Sequence, residues 1–252
     1  MSDSVFIVTG GSRGIGASVS RKLGSPGQTV VVNYTANKAA ADAVVAEIEQ
    51  QGGKAVAVQG DVGSEADILR LFEEADKHGR LAGLVNNAGV VDVSQRVDEM
   101  SVERLNRIFT INVVGSFLCA REAVKRMSTK HGGQGGSIVN LASAGSKLGS
   151  PAQYVDYAAS KGAIDTMTVG LALEVADEGI RVNAVRPGII DTELHASGGL
   201  PDRVAQVQSK LPMKRAGTAD EVADAIIWLM SDQSSYTTGA ILDVSGGRAI
   251  LP

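Results

Sequence analysis

Short β-branched runs alternate with longer stretches of helical period along the whole chain, and no other feature limits the fold as much. Runs at 5–9, 29–34, 54–58, 81–85, 137–141, 181–185 and 240–244 read as strands. Between them, Ala41, Val44, Val45 and Ile48 recur at helical spacing, as do Ile68, Leu71, Phe72 and Ala75. A helical region over 102–130 broken at Gly115, a helix over about 155–176 and a last one over 218–230 complete the pattern. Thr218 with Glu221 three residues on reads as a capping box for that last helix. Each strand–helix–strand passage must return across a face of the sheet, so the alternation predicts a parallel seven-stranded sheet with helices on both faces. Val30-Val31-Val32 and Ile138-Val139 are unbroken apolar runs, as strands covered on both sides require. The expected fold class is therefore α/β, a doubly wound single domain over 1–252.

One segment departs from the pattern. Residues 190–214 carry Gly198, Gly199, Pro201 and Pro212 with little strand character, and read as an inserted loop with one short helix. Ligands of doubly wound sheets sit beyond the carboxyl ends of the strands, and the insertion follows such an end. It is a candidate substrate lid.

Composition narrows the partners. Lys plus Arg number 24 against 28 Asp plus Glu, a formal charge of −4, so no sequence-wide attraction draws the chain to nucleic acid or anionic lipid. Aromatics at 4% are too sparse for a base-stacking platform. Cys119 is the only cysteine, and with His78, His131 and His195 scattered it makes neither a disulfide nor a common zinc site, so no metal is expected. No apolar run is long enough to span a bilayer and no basic leader precedes the first strand, which points to a cytoplasmic protein.

Thr9-Gly10-Gly11-Ser12-Arg13-Gly14-Ile15-Gly16 lies between the first strand and the first helix. Glycines there let the backbone turn sharply and approach a pyrophosphate, whose charge meets the free N–H groups of the helix start. Farther on, Tyr157 and Lys161 stand four residues apart, hence on one helix face. Ser143, fourteen positions before Tyr157, ends the fifth strand and puts a hydroxyl at the same sheet edge. An unmodified phenol transfers protons poorly at neutral pH. An ammonium at about 4 Å in an effective dielectric of ~20 is worth ~4 kcal/mol, raising the phenol's acidity roughly a thousandfold.

Taken together, Thr9-Gly-Gly-Ser-Arg-Gly-Ile-Gly16, Asp61-Val62, Asn86-Asn-Ala-Gly89, Asn112, Ser143, Tyr157-Ala-Ala-Ser-Lys161, Pro187-Gly188 and Asp243-Val-Ser-Gly-Gly247 resemble the short-chain dehydrogenase/reductase family in order and spacing. The resemblance covers nearly the whole chain and implies a Rossmann-type fold. By it, Tyr157 is the general acid for carbonyl reduction and the base for alcohol oxidation, and Ser143 bonds the substrate oxygen. Lys161 lowers the phenol and holds the nicotinamide ribose, while Asn112 positions a water in the proton relay. The same likeness implies that Gly10, Ser12, Ile15 and Gly16 line the pyrophosphate, Asp61 and Val62 the adenine, and Asn87, Ala88 and Gly89 the adenosine ribose side. Pro187, Gly188, Ile189 and Thr192 flank the nicotinamide.

Cofactor choice depends on what meets the adenosine ribose after the second strand. Asn33-Tyr34-Thr35 supplies no carboxylate there, and Arg13 offers a partner for a 2′-phosphate, so NADP(H) is expected over NAD(H). Ala36 stands where many NADP-dependent relatives carry Arg, which leaves NAD(H) usable. Relatives act on 3-oxoacyl thioesters, sugars, ketones and steroids, so the likeness implies interconversion of a secondary alcohol and a ketone or aldehyde without naming the substrate. Arg96, Arg203, Lys210, Lys214 and Arg215 read as solvated charges. Family likeness also implies a homotetramer. A non-catalytic dinucleotide-binding redox sensor would use the same glycine turn, and an incomplete proton-relay set would mark it; the set here is complete.

Overall fold

The structure is a computed structural model that describes residues 4–194 and 198–249. Seven parallel strands form one sheet in the order β3-β2-β1-β4-β5-β6-β7. They are β1 (Ser4–Val8), β2 (Gln28–Tyr34), β3 (Lys54–Gln59), β4 (Arg80–Asn86), β5 (Gly136–Leu141), β6 (Ile180–Pro187) and β7 (Ile241–Val244). All seven expected strands are present, each shifted by at most two residues at either end. The helices are α1 (Gly14–Leu23), α2 (Lys38–Gln50), α3 (Glu65–Asp76), α4 (Val102–Phe109), α5 (Gly115–Met127), α6 (Gly145–Leu148), α7 (Val155–Val175), α8 (Arg203–Val207) and α9 (Ala219–Met230).

The two faces of the sheet bury separate apolar layers. On one, Val8, Val30, Val32, Val85 and Val139 pack against α1, α2 and α9. On the other, Ile7, Val31, Leu84 and Ile138 meet Leu71 and Phe72 of α3 and Cys119 and Met127 of α5. Successive strand residues point to opposite faces, and these alternating valines and isoleucines show it. Thr218 accepts from the Glu221 N–H at 3.2 Å and Glu221 accepts from the Thr218 N–H at 2.8 Å, the capping box expected for α9.

The region expected as one helix broken at Gly115 runs instead as α4, a π-helical turn over Thr110–Val114, and α5 without a break. Gly115 serves packing: a Cβ there would collide with the Val62 carbonyl, so glycine lets α5 lie against the end of β3. The short helices over Val97–Glu99 and Gly145–Leu148 carry no periodic signal and were not expected.

Among its described residues the insertion contains the short helix α8, followed by a 3-10 turn over Gln208–Lys210. Its first part is held down: Ile190 is buried and bridges Gly217, and Gly198 accepts the Tyr154 hydroxyl at 3.0 Å. His195 and its two successors lie outside the described residues.

Candidate active site

The glycine turn, Asp61-Val62, Asn87 to Gly89, Ser143 and the residues from Gly188 on follow carboxyl ends of strands, which share one edge of the parallel sheet, while Asn112, Tyr157 and Lys161 come from helical segments. The chain reverses its winding between β1 and β4, the place where a crevice opens in such sheets. Gly10 to Gly16 turn from β1 into α1, with Gly10 at φ +60° and Gly14 at φ +50°, conformations that favour glycine. A Cβ on Gly16 would collide with the Gly10 carbonyl. No side chain caps α1 and no acid occupies its first turn, so its N–H groups face the turn with their partial positive charge uncompensated.

Several expected contact residues turn out to build this turn. Asn87 donates its amide to the carbonyls of Thr9 at 2.8 Å and Gly10 at 3.0 Å, and Ala88 donates its N–H to the Thr9 hydroxyl. Asn33 is buried, accepts from the Gly10 N–H at 3.1 Å and donates to Gly60 O at 2.9 Å, so its amide ties β2 and β3 to the turn. Tyr34 is buried beside it, and Thr35 is exposed. Asp61 accepts from the Gly63 N–H at 2.8 Å, shaping the turn after β3, and Val62 is buried under Gly115. Ser12 and Ile15 are partly exposed, and Arg13 is exposed with Glu193 at 3.8 Å.

From the far side of the crevice, Pro187 accepts from the Ala144 N–H and Gly188 donates to Val244 O at 3.0 Å, which locks the end of β6 between the Ser143 loop and β7. A Cβ on Gly188 would lie 2.7 Å from the Ser245 carbonyl. Ile189 is buried, and Thr192 lies against Gly14, so the two ends of the crevice meet.

Ser143, Tyr157 and Lys161 are brought together. The Ser143 hydroxyl accepts from the Gly145 N–H at 3.0 Å and lies near enough to the Tyr157 phenol to favour its deprotonated form. Lys161 Nζ lies 5.8 Å from the centroid of the Tyr157 ring and donates to Leu141 O at 2.6 Å. A Cβ on Gly89 would sit 3.4 Å from both Lys161 Nζ and Asn112 Oδ1, so this glycine keeps open the space beside the ammonium. Asn112, in the π-helical turn, accepts from the Val90 N–H at 2.8 Å and donates to Val90 O and the Ser160 hydroxyl. Its amide is the clamp between the β4 loop and α7.

The electrostatics correct one expectation. Lys161 does not make Tyr157 acidic here; burial pushes the phenol above its ordinary value, and only the Ser143 hydroxyl pulls it down. The ammonium is directed at a backbone carbonyl instead of the phenol oxygen, and it too suffers from desolvation. Burial brings Lys161 down to about 8, against the opposing pull of Asp165.

A second buried assembly went unpredicted. Arg104 of α4 and Asp156, the residue before Tyr157, form an ion pair at 2.7 Å with side chains 6% and 1% exposed. Asp156 also accepts from the Tyr157 N–H at 2.9 Å, and Arg104 donates to Val93 O and Gln95 Oε1. The pair fixes the first turn of α7 to the loop after β4. Its members are 52 positions apart, and no local pattern links them.

Comparison with known proteins places this geometry. A family model described as Enoyl-(Acyl carrier protein) reductase matches residues 10–249. An uncharacterized oxidoreductase, YgfF of Escherichia coli, is 55% identical over 97% of this chain and the whole of that protein. Glucose 1-dehydrogenase 2 of Bacillus subtilis is 41% identical over 98% of this chain and 95% of its own. A solved short-chain type dehydrogenase/reductase of Mycobacterium marinum superposes with a TM-score of 0.89 at 34% identity, covering 98% and 96% of the two chains.

Proposed function

The chain belongs to the short-chain dehydrogenase/reductase family, and on that premise we propose that it is an NADP(H)-dependent oxidoreductase interconverting a secondary alcohol and a ketone or aldehyde. The observation that carries this reading is the Ser143–Tyr157–Lys161 cluster, with its ammonium beside Gly89 in the crevice that the glycine turn opens.

The chain fits a dinucleotide. Gly16 and Gly188 let the glycine turn and the end of β6 pack closely, Gly89 keeps space open beside the Lys161 ammonium, and α1 presents an uncapped N-terminus to a pyrophosphate. Ser12, Ile15 and the turn glycines would hold the phosphates, Asp61 and Val62 the adenine, and Pro187 to Thr192 the nicotinamide side. The bound nicotinamide would supply or accept the hydride. The Ser143 hydroxyl receives the substrate's carbonyl oxygen, and Tyr157 gives that oxygen its proton during reduction and takes it back during oxidation. A phenol held above its ordinary value is protonated at neutral pH, the state an acid needs. Lys161 remains mostly charged at pH 7, and its ammonium, held on Leu141 O beside Gly89, would hold the nicotinamide ribose. Asn112 acts as a positioning residue, holding Val90 and Ser160.

NADP(H) is favoured because the end of β2 offers no carboxylate to a ribose 2′-hydroxyl, while Arg13 stands exposed on the glycine turn. The nearest acid after β2, Asp42, is engaged by Lys38 at 2.7 Å. The name of the Bacillus relative puts sugars among the substrates worth testing. Following absorbance of NADPH and of NADH against a panel of aldehydes, ketones and sugars tests both points. Turnover with NADPH supports the reading, and turnover with NADH alone overturns the cofactor assignment.

Assembly as a homotetramer in the cytoplasm completes the proposal. Among the described residues no helix is long and apolar enough to cross a membrane. A groove of about 940 Å³ runs between α5 and α7, lined in part by Phe117, Val124, Met167 and Leu171, with Phe117 51% exposed. Elsewhere Trp228 of α9, Tyr236, and Leu242 of β7 are exposed apolar side chains, in or close in sequence to β7 at the sheet's edge. Two such regions suit the two kinds of self-contact in a dihedral tetramer.

A further inference from the structure

The cavity beyond Ser143 carries two arginines that nothing in the reaction so far uses. It measures about 300 Å³ and is lined by Leu148, Ser150, Pro151, Gln153, Arg203 and Arg248. It adjoins the reacting groups. Ser143 Oγ and Ser150 Oγ lie 3.2 and 3.4 Å from where a Cβ on Gly145 would stand, and Gln153 begins the turn that leads into Tyr157.

Both arginines lack an acidic partner among the described residues. Arg203 lies 5.3 Å from the centroid of the Tyr154 ring, and its buried Nη1 has no hydrogen-bond partner. Arg248 is half-buried, and burial first, then the charge of Arg203, disfavours its protonated form. By contrast, Arg96 is paired with Asp98, Arg215 with Glu221, and Lys214 donates to Ser209 O. Two like charges that feel each other, one of them with a buried donor left unsatisfied, are a costly arrangement unless an anion completes it. Backbone strain marks the same wall: Ser150 at φ +47° and Ala152 at φ +57° occupy the left-handed region without being glycine. Such conformations persist mainly where the surrounding structure imposes them, often at ligand sites.

We propose that this cavity takes the anionic end of the substrate, a carboxylate or a phosphate gripped by Arg203 and Arg248, so that the carbonyl at its other end reaches Ser143 and Tyr157. The inference rests on the redox reading above, and narrows the substrate class to carbonyl compounds with an acidic terminus. Tyr154, whose hydroxyl is bonded to Gly198 O while its ring carries Arg203, ties the anion grip to the insertion.

The test uses the protein with NADPH at fixed ionic strength and three matched aldehydes: 4-carboxybenzaldehyde, 4-formylphenyl phosphate and the neutral methyl 4-formylbenzoate. One of the two anionic probes should exceed the ester in kcat/KM by roughly ten- to a hundredfold, chiefly through KM, as charged hydrogen bonds warrant. The better of the two identifies the anion. Arg203→Gln and Arg248→Gln should each collapse that ratio toward one, with Arg248→Lys recovering part of it. Equal kcat/KM for charged and neutral probes, or a ratio untouched by both glutamine variants, overturns the proposal. Calorimetric titration of terephthalate and phenyl phosphate into the same proteins separates this inference from the redox reading. Binding lost in both variants supports the anion site even if no aldehyde is reduced, and binding equal in all proteins overturns it.

Discussion

Replacing Asp156 with Asn leaves Arg104 as a buried charge with its main partner neutral, while the new amide oxygen still accepts the Tyr157 N–H. Breaking a buried pair by removing one charge costs about 3–5 kcal/mol. For a chain of this length each kcal/mol lowers the melting midpoint by roughly 2–4 °C, so Asp156→Asn should melt about 6–20 °C below the parent. Arg104→Met should cost a similar amount, because it strands the carboxylate. The double variant Arg104→Met/Asp156→Asn removes both charges, and should be less destabilised than the sum of the single variants by about 1–3 kcal/mol. Differential scanning calorimetry of the four proteins measures the cycle. Turnover well below every midpoint should change little for Asp156→Asn, since the start of α7 keeps its anchor. Strictly additive midpoints, or a single variant within 1 °C of the parent, would refute the reasoning that this pair acts as a unit.

Gly16→Ala drives a methyl group into the Gly10 carbonyl, and fluorescence titration should show NADPH affinity weakened at least ~100-fold, the loss of several phosphate contacts; unchanged affinity would remove the turn from the cofactor site. Lys161 binds a proton less readily when folded, at about 8 against 10.5 when unfolded, so the unfolded state holds more protons between those values and stability rises with pH across that window. The cofactor-free protein should gain on the order of 3 kcal/mol from pH 8 to 10.5 relative to Lys161→Met; parallel denaturation curves at every pH would contradict this. Phe117→Glu places a charge in the α5–α7 groove and should lower the sedimenting mass from that of the tetramer, with an unchanged mass excluding this face as an interface.

The fold was legible because its signal is repeated. Most strands are β-branched runs bounded by turn residues, and helices such as α2 and α3 carry an apolar stripe at helical spacing, so shifts of a residue or two at the ends left the topology intact. The cluster of Ser143, Tyr157 and Lys161 was legible for a related reason: two members lie one helical turn apart and the third ends a strand at the same sheet edge. What spacing could not convey was solvation. The sequence puts an ammonium near a phenol, but only the packing shows that both are buried and that the ammonium is committed to Leu141 O.

Long-range pairs were also hidden. Arg104 and Asp156 meet across the β4 loop, and Arg248 comes from the chain's far end to face Arg203, which by itself reads as one more surface charge. Asn33 and Asn87, expected at the cofactor, also brace the glycine turn, Asn33 by accepting from the Gly10 N–H and Asn87 by donating to Thr9 O. Residue type announced a polar role, and topology decided whether it was contact or scaffold.

The account depends on Tyr157 being the group that moves the proton. Pre-steady-state mixing of Tyr157→Phe with NADPH and an aldehyde that the parent protein reduces measures this directly, with NADPH binding followed in the same syringe. Intact NADPH affinity with turnover reduced at least ~1,000-fold is the predicted result, since the ring remains while its transferable proton is gone. Turnover within tenfold of the parent, with NADPH bound equally well, would contradict it.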